Sequence, residues 1–100
     1  MPSVAIKSSK NKKRFESRKA YVKTRVFAIN DIDGVMPYTI THIKTCLRIG
    51  QFPNLTSAIN ALYELEMGGK INWQKKNGEY SRQDGKYVSR IVRNNDGIMA

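Results

Sequence analysis

The chain has 100 residues, enough for one domain around a modest core, and 40% of them are apolar, which excludes wholesale disorder. A total of 18 Lys and Arg against 8 Asp and Glu leaves a net charge of +10, a balance that points to anionic partners and to no particular fold. No apolar run reaches the ~20 residues that span a bilayer, the N-terminus lacks a signal-peptide pattern, and the single cysteine excludes an internal disulfide, so a cytoplasmic protein with no membrane partner is expected.

The charge is unevenly spread. Residues 1–25 hold nine basic residues and one acid, residues 70–93 hold seven and two, and the 44 between hold only Lys44 and Arg48 against four acids. A near-neutral core with two basic flanks would have this pattern. Residues 1–16, rich in Ser, Lys and Asn and without period, are expected to form a flexible basic arm whose Lys12, Lys13 and Arg14 meet phosphates. Over residues 17–30, Val22, Val26 and Ile29 recur at i, i+4 and i+7 behind a capping Ser17. That spacing predicts a first helix, with Arg18 outward, against a β-branched content that argues the other way. Residues 30–34, Asn-Asp-Ile-Asp-Gly, predict a turn. Its Asp-x-Asp-Gly fragment lacks the further oxygen ligands and closing Glu of a calcium loop, so no metal is expected.

Residues 35–38, with Pro37, read as an edge strand or connector. Thr39 or Thr41 would then cap a second helix to about residue 48, with Ile40, Ile43, Cys46 and Leu47 apolar and Lys44 and Arg48 outward. Cys46 reads as a small buried hydrophobe, and His42, the only histidine, as a surface or phosphate-contacting residue. One histidine cannot supply a zinc pair, and no Ser-His-Asp set or Gly-rich phosphate loop is present. No catalytic residues and no cofactor are therefore expected.

Gly50 and Pro53 end that segment, and Asn54 caps a third helix over residues 54–69. Leu55, Ala58, Ile59, Leu62 and Leu65 form its apolar stripe, opposite Thr56, Ser57, Asn60, Tyr63 and Glu64. Beyond Gly69 the period changes to two. Asn77-Gly78 and Asp84-Gly85 are hairpin dipeptides, and residues 87–92 read as a returning strand. A two-stranded hairpin with a long tip is preferred to a three-stranded one. Trp73 and Tyr87 would be cross-strand packing partners, Tyr80 near the tip a stacking residue, and residues 94–100 a polar tail.

Thr56-Ser57-Ala58 followed by Ala61-Leu62, Leu65-Glu66, Gly69 and Ile71 resembles the recognition-helix ending of bacterial and phage winged helix-turn-helix DNA-binding proteins, a resemblance covering about residues 17–93. It implies an α+β domain, a winged helix-turn-helix of three helices followed by a β-hairpin wing, with a flexible basic N-terminal arm. The implied function is that of a non-enzymatic transcriptional regulator, with helix 54–69 in the major groove of double-stranded DNA and wing and arm on the backbone. Thr56, Ser57, Asn60 and Tyr63 would read bases, since Asn pairs bidentately with adenine and Thr meets the thymine methyl. Lys12, Lys13, Arg14, Arg18, Lys44, Arg48, Lys70, Lys75, Lys76, Arg82, Lys86 and Arg90 would hold phosphates. Small size and a basic arm would suit a phage- or plasmid-encoded protein acting in the bacterial cytoplasm or nucleoid.

Two features depart from that family. Residues 48–54 are longer than its tight turn, and the recognition helix has no Lys or Arg before Lys70 while carrying Glu64 and Glu66. Two alternatives follow: a module for RNA or single strands, or an adaptor whose acidic helix face docks a protein such as RNA polymerase or a nuclease. A homodimer would supply two half-sites, although no separate dimerisation helix is evident.

Overall fold

The structure, a computed structural model, describes residues 3–7, 15–31, 35–68, 71, 73 and 82–99. Six strands form one antiparallel sheet in chain order: β1 (Ser3–Lys7), β2 (Phe15–Lys23), β3 (Phe27–Asp31), β4 (Tyr38–His42), β5 (Leu47–Phe52) and β6 (Ile98–Met99). Between β5 and β6 the chain makes two helices, α1 (Leu55–Met67) and α2 (Arg82–Asn94), which pack on the same face of the sheet.

This architecture overturns the winged helix-turn-helix. Among the described residues two helices stand where three were expected, and they accompany an open six-stranded antiparallel sheet in place of a three-helix unit with a hairpin wing. The first expected helix is the hairpin of β2 and β3. Ala20 pairs with Asn30 but Val22 with Ile29, so an extra residue, Tyr21, bulges out between them. A bulge resets alternation, and beyond it Val22 and its partner Ile29, with Val26 in the turn between, all pack on the main core, which is why the three mimic helical spacing. The second expected helix is likewise the hairpin of β4 and β5, where Ile40 pairs with Gly50 but Thr41 with Arg48. Burial removes the remaining clue. Four consecutive residues of β3, Phe27, Ala28, Ile29 and Asn30, are buried, so neither face reads as polar.

Side chains close the turns. In the β2–β3 turn the Thr24 hydroxyl oxygen accepts from the Phe27 N–H at 3.0 Å, and the same hydroxyl donates to Glu66 of α1. In the β4–β5 turn the Cys46 N–H donates to the His42 carbonyl at 2.8 Å with Cys46 at φ 61°. Cys46 is thus a half-buried turn residue and not a buried helical hydrophobe. Helix α1 forms where expected: Asn54 is its cap, its side-chain oxygen accepting from the Ser57 N–H at 2.8 Å.

The expected returning strand over residues 87–92 belongs to α2. Tyr87, Val88, Ile91 and Val92 fall at i, i+1, i+4 and i+5, a helical stripe, and Asp84-Gly85 lies in its first turn instead of a hairpin. The proposed arm and tail also contain ordered pairing. Ser3–Lys7 bonds to β2 as β1, and Ile98–Met99 to β5 as β6, because a strand beside a free edge recovers backbone hydrogen bonds that a tail would leave to water. Residues 8–14 of the arm, the turn at 32–34, and 74–81, which include both expected wing-tip features, lie outside the described residues.

The main core joins Ala58, Ala61, Leu62 and Leu65 of α1 and Val88, Ile91 and Val92 of α2 to Phe27, Ile29, Ile40, Ile49 and Phe52. Each fully buried large side chain contributes about 1.5–3 kcal/mol. Trp73 seals one end of this core at 5% exposure, its ring edge-on to Phe27 at 4.8 Å and its indole N–H donating to the Leu65 carbonyl at 3.2 Å. It packs as the sequence suggested, though not across a strand pair. On the opposite sheet face Val4, Ala20 and Ala28 form a smaller cluster with Ile43 against it. The small side chains there accommodate the curl that brings β1 into contact with β5.

Candidate nucleic-acid interface

Helix α2 has two unlike faces. Its stripe of Val88, Ile91 and Val92 is buried, while Lys86, Arg90 and Arg93 are exposed on the other side. The chain takes a helix here because its apolar residues match period 3.6 and because the ends suit the helix dipole, Asp84 in the first turn and Arg93 in the last. Lys86 and Arg93 stand seven residues apart, so the cations run along about 10 Å, the axial length of roughly three stacked nucleotides. Gly85, Lys86, Ser89, Arg90, Arg93 and Asn94 line a shallow groove of about 600 Å³. No carboxylate among the described residues pairs with Lys86, Arg90 or Arg93. Arg82 opens the same helix.

The other side of α2 faces α1. A second groove, of about 520 Å³, runs between the helices and is lined by Tyr63, Glu64, Met67, Gly68, Tyr87 and Ile91. Tyr63 is 61% exposed and Met67 75% exposed. Gly68 is required at the groove's end, since a Cβ there would overlap the Tyr87 hydroxyl. The Asn95 amide ties the helices together, donating to Glu64 at 3.3 Å and to the Ile91 carbonyl at 2.9 Å.

The residues singled out from the sequence scatter across this surface. Thr56 and Asn60 are exposed on α1 with Tyr63, whereas Ser57 is half-buried at the cap. Lys86 and Arg90 come together on α2, joined by Arg93, which the sequence reading missed. The signal was the spacing of Arg82, Lys86, Arg90 and Arg93, at i, i+4, i+8 and i+11. Arg18 pairs in register with Val4, and Arg48 with Thr41, which places both on the sheet face away from the helices. Lys44 is exposed in the β4–β5 turn. Lys12, Lys13, Arg14, Lys70, Lys75, Lys76 and Tyr80 lie outside the described residues.

His42 is not a surface group. It is 3% exposed, with Nδ1 2.9 Å from the Thr45 hydroxyl and Nε2 3.0 Å from the Trp73 carbonyl. Burial pushes its pKa below the usual value; the Trp73 carbonyl opposes that and the charge of Lys44 reinforces it. Of the acids of α1, half-buried Glu66 takes the Thr24 hydroxyl, whereas Glu64 is exposed and one of its oxygens accepts from the Asn95 amide. Among the described residues no three of His, Cys, Asp and Glu gather to hold a metal ion, and no helix is long and apolar enough to cross a membrane. Comparison with family models, curated proteins and solved structures gives no match.

Proposed function

We propose that the chain is a non-enzymatic nucleic-acid-binding protein that grips phosphates along the exposed face of α2. The observation that carries this is the run of Lys86, Arg90 and Arg93 along one helix face, without a carboxylate partner among the described residues, in a chain of net charge +10. Exposed cations of this kind release counterions on meeting a polyphosphate, and guanidinium groups bind phosphate bidentately. Helix α1 is the weaker candidate for a grip, because it carries no cation and its acids already hold Thr24 and Asn95.

The test is a triple substitution, K86A/R90A/R93A, on a face that contributes nothing to the core. Binding to single-stranded DNA, duplex DNA and structured RNA is measured by anisotropy at several salt concentrations. The variant is expected to lose about two to three units of the slope of log K against log salt, and with it roughly one to two decades of the fall between 50 and 200 mM. An unchanged affinity and slope for all three ligands would overturn the reading.

A further inference from the structure

We propose that the groove between α1 and α2 receives an unpaired nucleobase while the cations of α2 hold the flanking phosphates, so that the ligand is single-stranded nucleic acid. This rests on the phosphate grip proposed above and adds where the bases go. Tyr63 and Met67, one helical turn apart, leave a large aromatic and a large apolar side chain mostly exposed, on a helix whose outward residues are otherwise polar. Tyr87 and Ile91 form the facing wall. The groove therefore offers an apolar, partly aromatic slot open to solvent, suited to the face of a planar ring.

The charges at its two rims differ. On the α2 side, Arg90 lies three residues after Tyr87 and four after Lys86, and residues three or four apart are surface neighbours on a helix. The cations are thus set immediately outside the apolar wall. On the α1 side the charged residue is Glu64, which repels phosphate and accepts hydrogen bonds from amino groups. A ligand that carries an anion on one side of an aromatic ring and amino donors on the other satisfies both rims, and a nucleotide has that build. A basic peptide would meet the cations, and an acidic one would meet Glu64. A duplex keeps its base faces stacked and gives Tyr63 nothing to cover, whereas a single strand can turn a base out.

The experiment compares a mixed-sequence single-stranded DNA 20-mer, an abasic strand of equal length and the matching duplex, at one salt concentration and then across a series. Tyr63 is exposed, so Tyr63→Ala and Tyr63→Phe leave the core intact. Tyr63→Ala is expected to weaken binding of the intact strand about tenfold, with unchanged salt slope, unchanged duplex affinity and unchanged affinity for the abasic strand; Tyr63→Phe keeps wild-type affinity. Equal effects of Tyr63→Ala on intact and abasic strands, no effect on either, or a wild-type preference for duplex would overturn the inference. So would sedimentation showing a dimer that Tyr63→Ala dissociates, since a second copy would then fill the groove. If K86A/R90A/R93A lowers the salt slope while Tyr63→Ala changes nothing, the phosphate grip stands and only the base slot falls; if the triple variant changes nothing, the underlying reading falls first.

Discussion

Nε2–H of His42 donates to the Trp73 carbonyl, Nδ1 meets the Thr45 hydroxyl, and burial favours the neutral ring. It lies tilted against Trp73 at 5.3 Å and Phe27 at 6.0 Å, in a buried site where desolvation disfavours the charged ring. Its pKa in the fold lies below the 6.5 of the unfolded chain. Between the two values the unfolded state binds more protons, so stability rises with pH there. The contribution is complete above the unfolded value and is lost as pH falls through the folded one. Urea midpoints are therefore expected to drop from about pH 7.5 to about pH 5, with a smaller drop in His42→Gln than in the parent. An equal drop in both would assign the effect to other groups. Nothing local in the sequence marks His42 as buried. Its partner Trp73 is 31 residues away, and the intervening helix is what brings it there.

Helix α2 carries the proposed phosphate grip, and both of its ends store improvable geometry. Gly85 lies in its first turn with open space where a Cβ would go, so Gly85→Ala should stabilise the fold by about 0.5–1 kcal/mol. At the other end the Gly97 N–H donates to the Val92 carbonyl at 2.9 Å and the Asp96 N–H to the Arg93 carbonyl at 3.1 Å. These are the two bonds of a Schellman cap, with Asp96 at φ 64° in the position that favours glycine. Asp96 also brings a negative charge to the negative end of the helix dipole. Asp96→Gly should gain about 1 kcal/mol. Thermal melts should show each substitution raising Tm by several degrees, and a fall in either would contradict the geometry at that end. The sequence misled here for a definable reason. Residues 87–92 are rich in β-branched side chains and follow a turn dipeptide, whereas the spacing of Arg82, Lys86, Arg90 and Arg93 by four, four and three residues marks the helix.

At the scale of the whole molecule, what could be read locally was α1, whose cap, stripe and glycine stop lie within 15 residues, and the basic excess that the proposed grip draws on. The sheet could not, because bulges at Tyr21 and near Ile49 broke its alternation and burial of β3 on both faces erased the polar side. The two-helix groove is legible only in pieces: the stripe of α1 puts Tyr63 on its outer face, but the β-branched run over residues 87–92 reads as a strand and so separates Tyr87 and Ile91 from it.

The order of the strands separates local pairings from a distant one. From β1 to β5 every sheet neighbour is also a chain neighbour, so those pairings need only short loop closures. β6 alone joins its partner after an excursion through both helices. Gly50 marks the meeting point, since a Cβ there would lie 3.0 Å from the Val92 methyls and 3.2 Å from the Ile98 carbonyl. Helix α2 and the last strand thus approach β5 at the same residue, and the amides of β6 become a reporter of the helix layer. Val92→Ala, which loosens α2 from β5, is expected to speed amide exchange at Ile98 and Met99 while leaving β3 and β4 protected. Exchange rising equally in β3 would mean that the sheet and the helices open as one unit. In the expected case, the surface proposed to hold nucleic acid belongs to the part of the molecule that opens first.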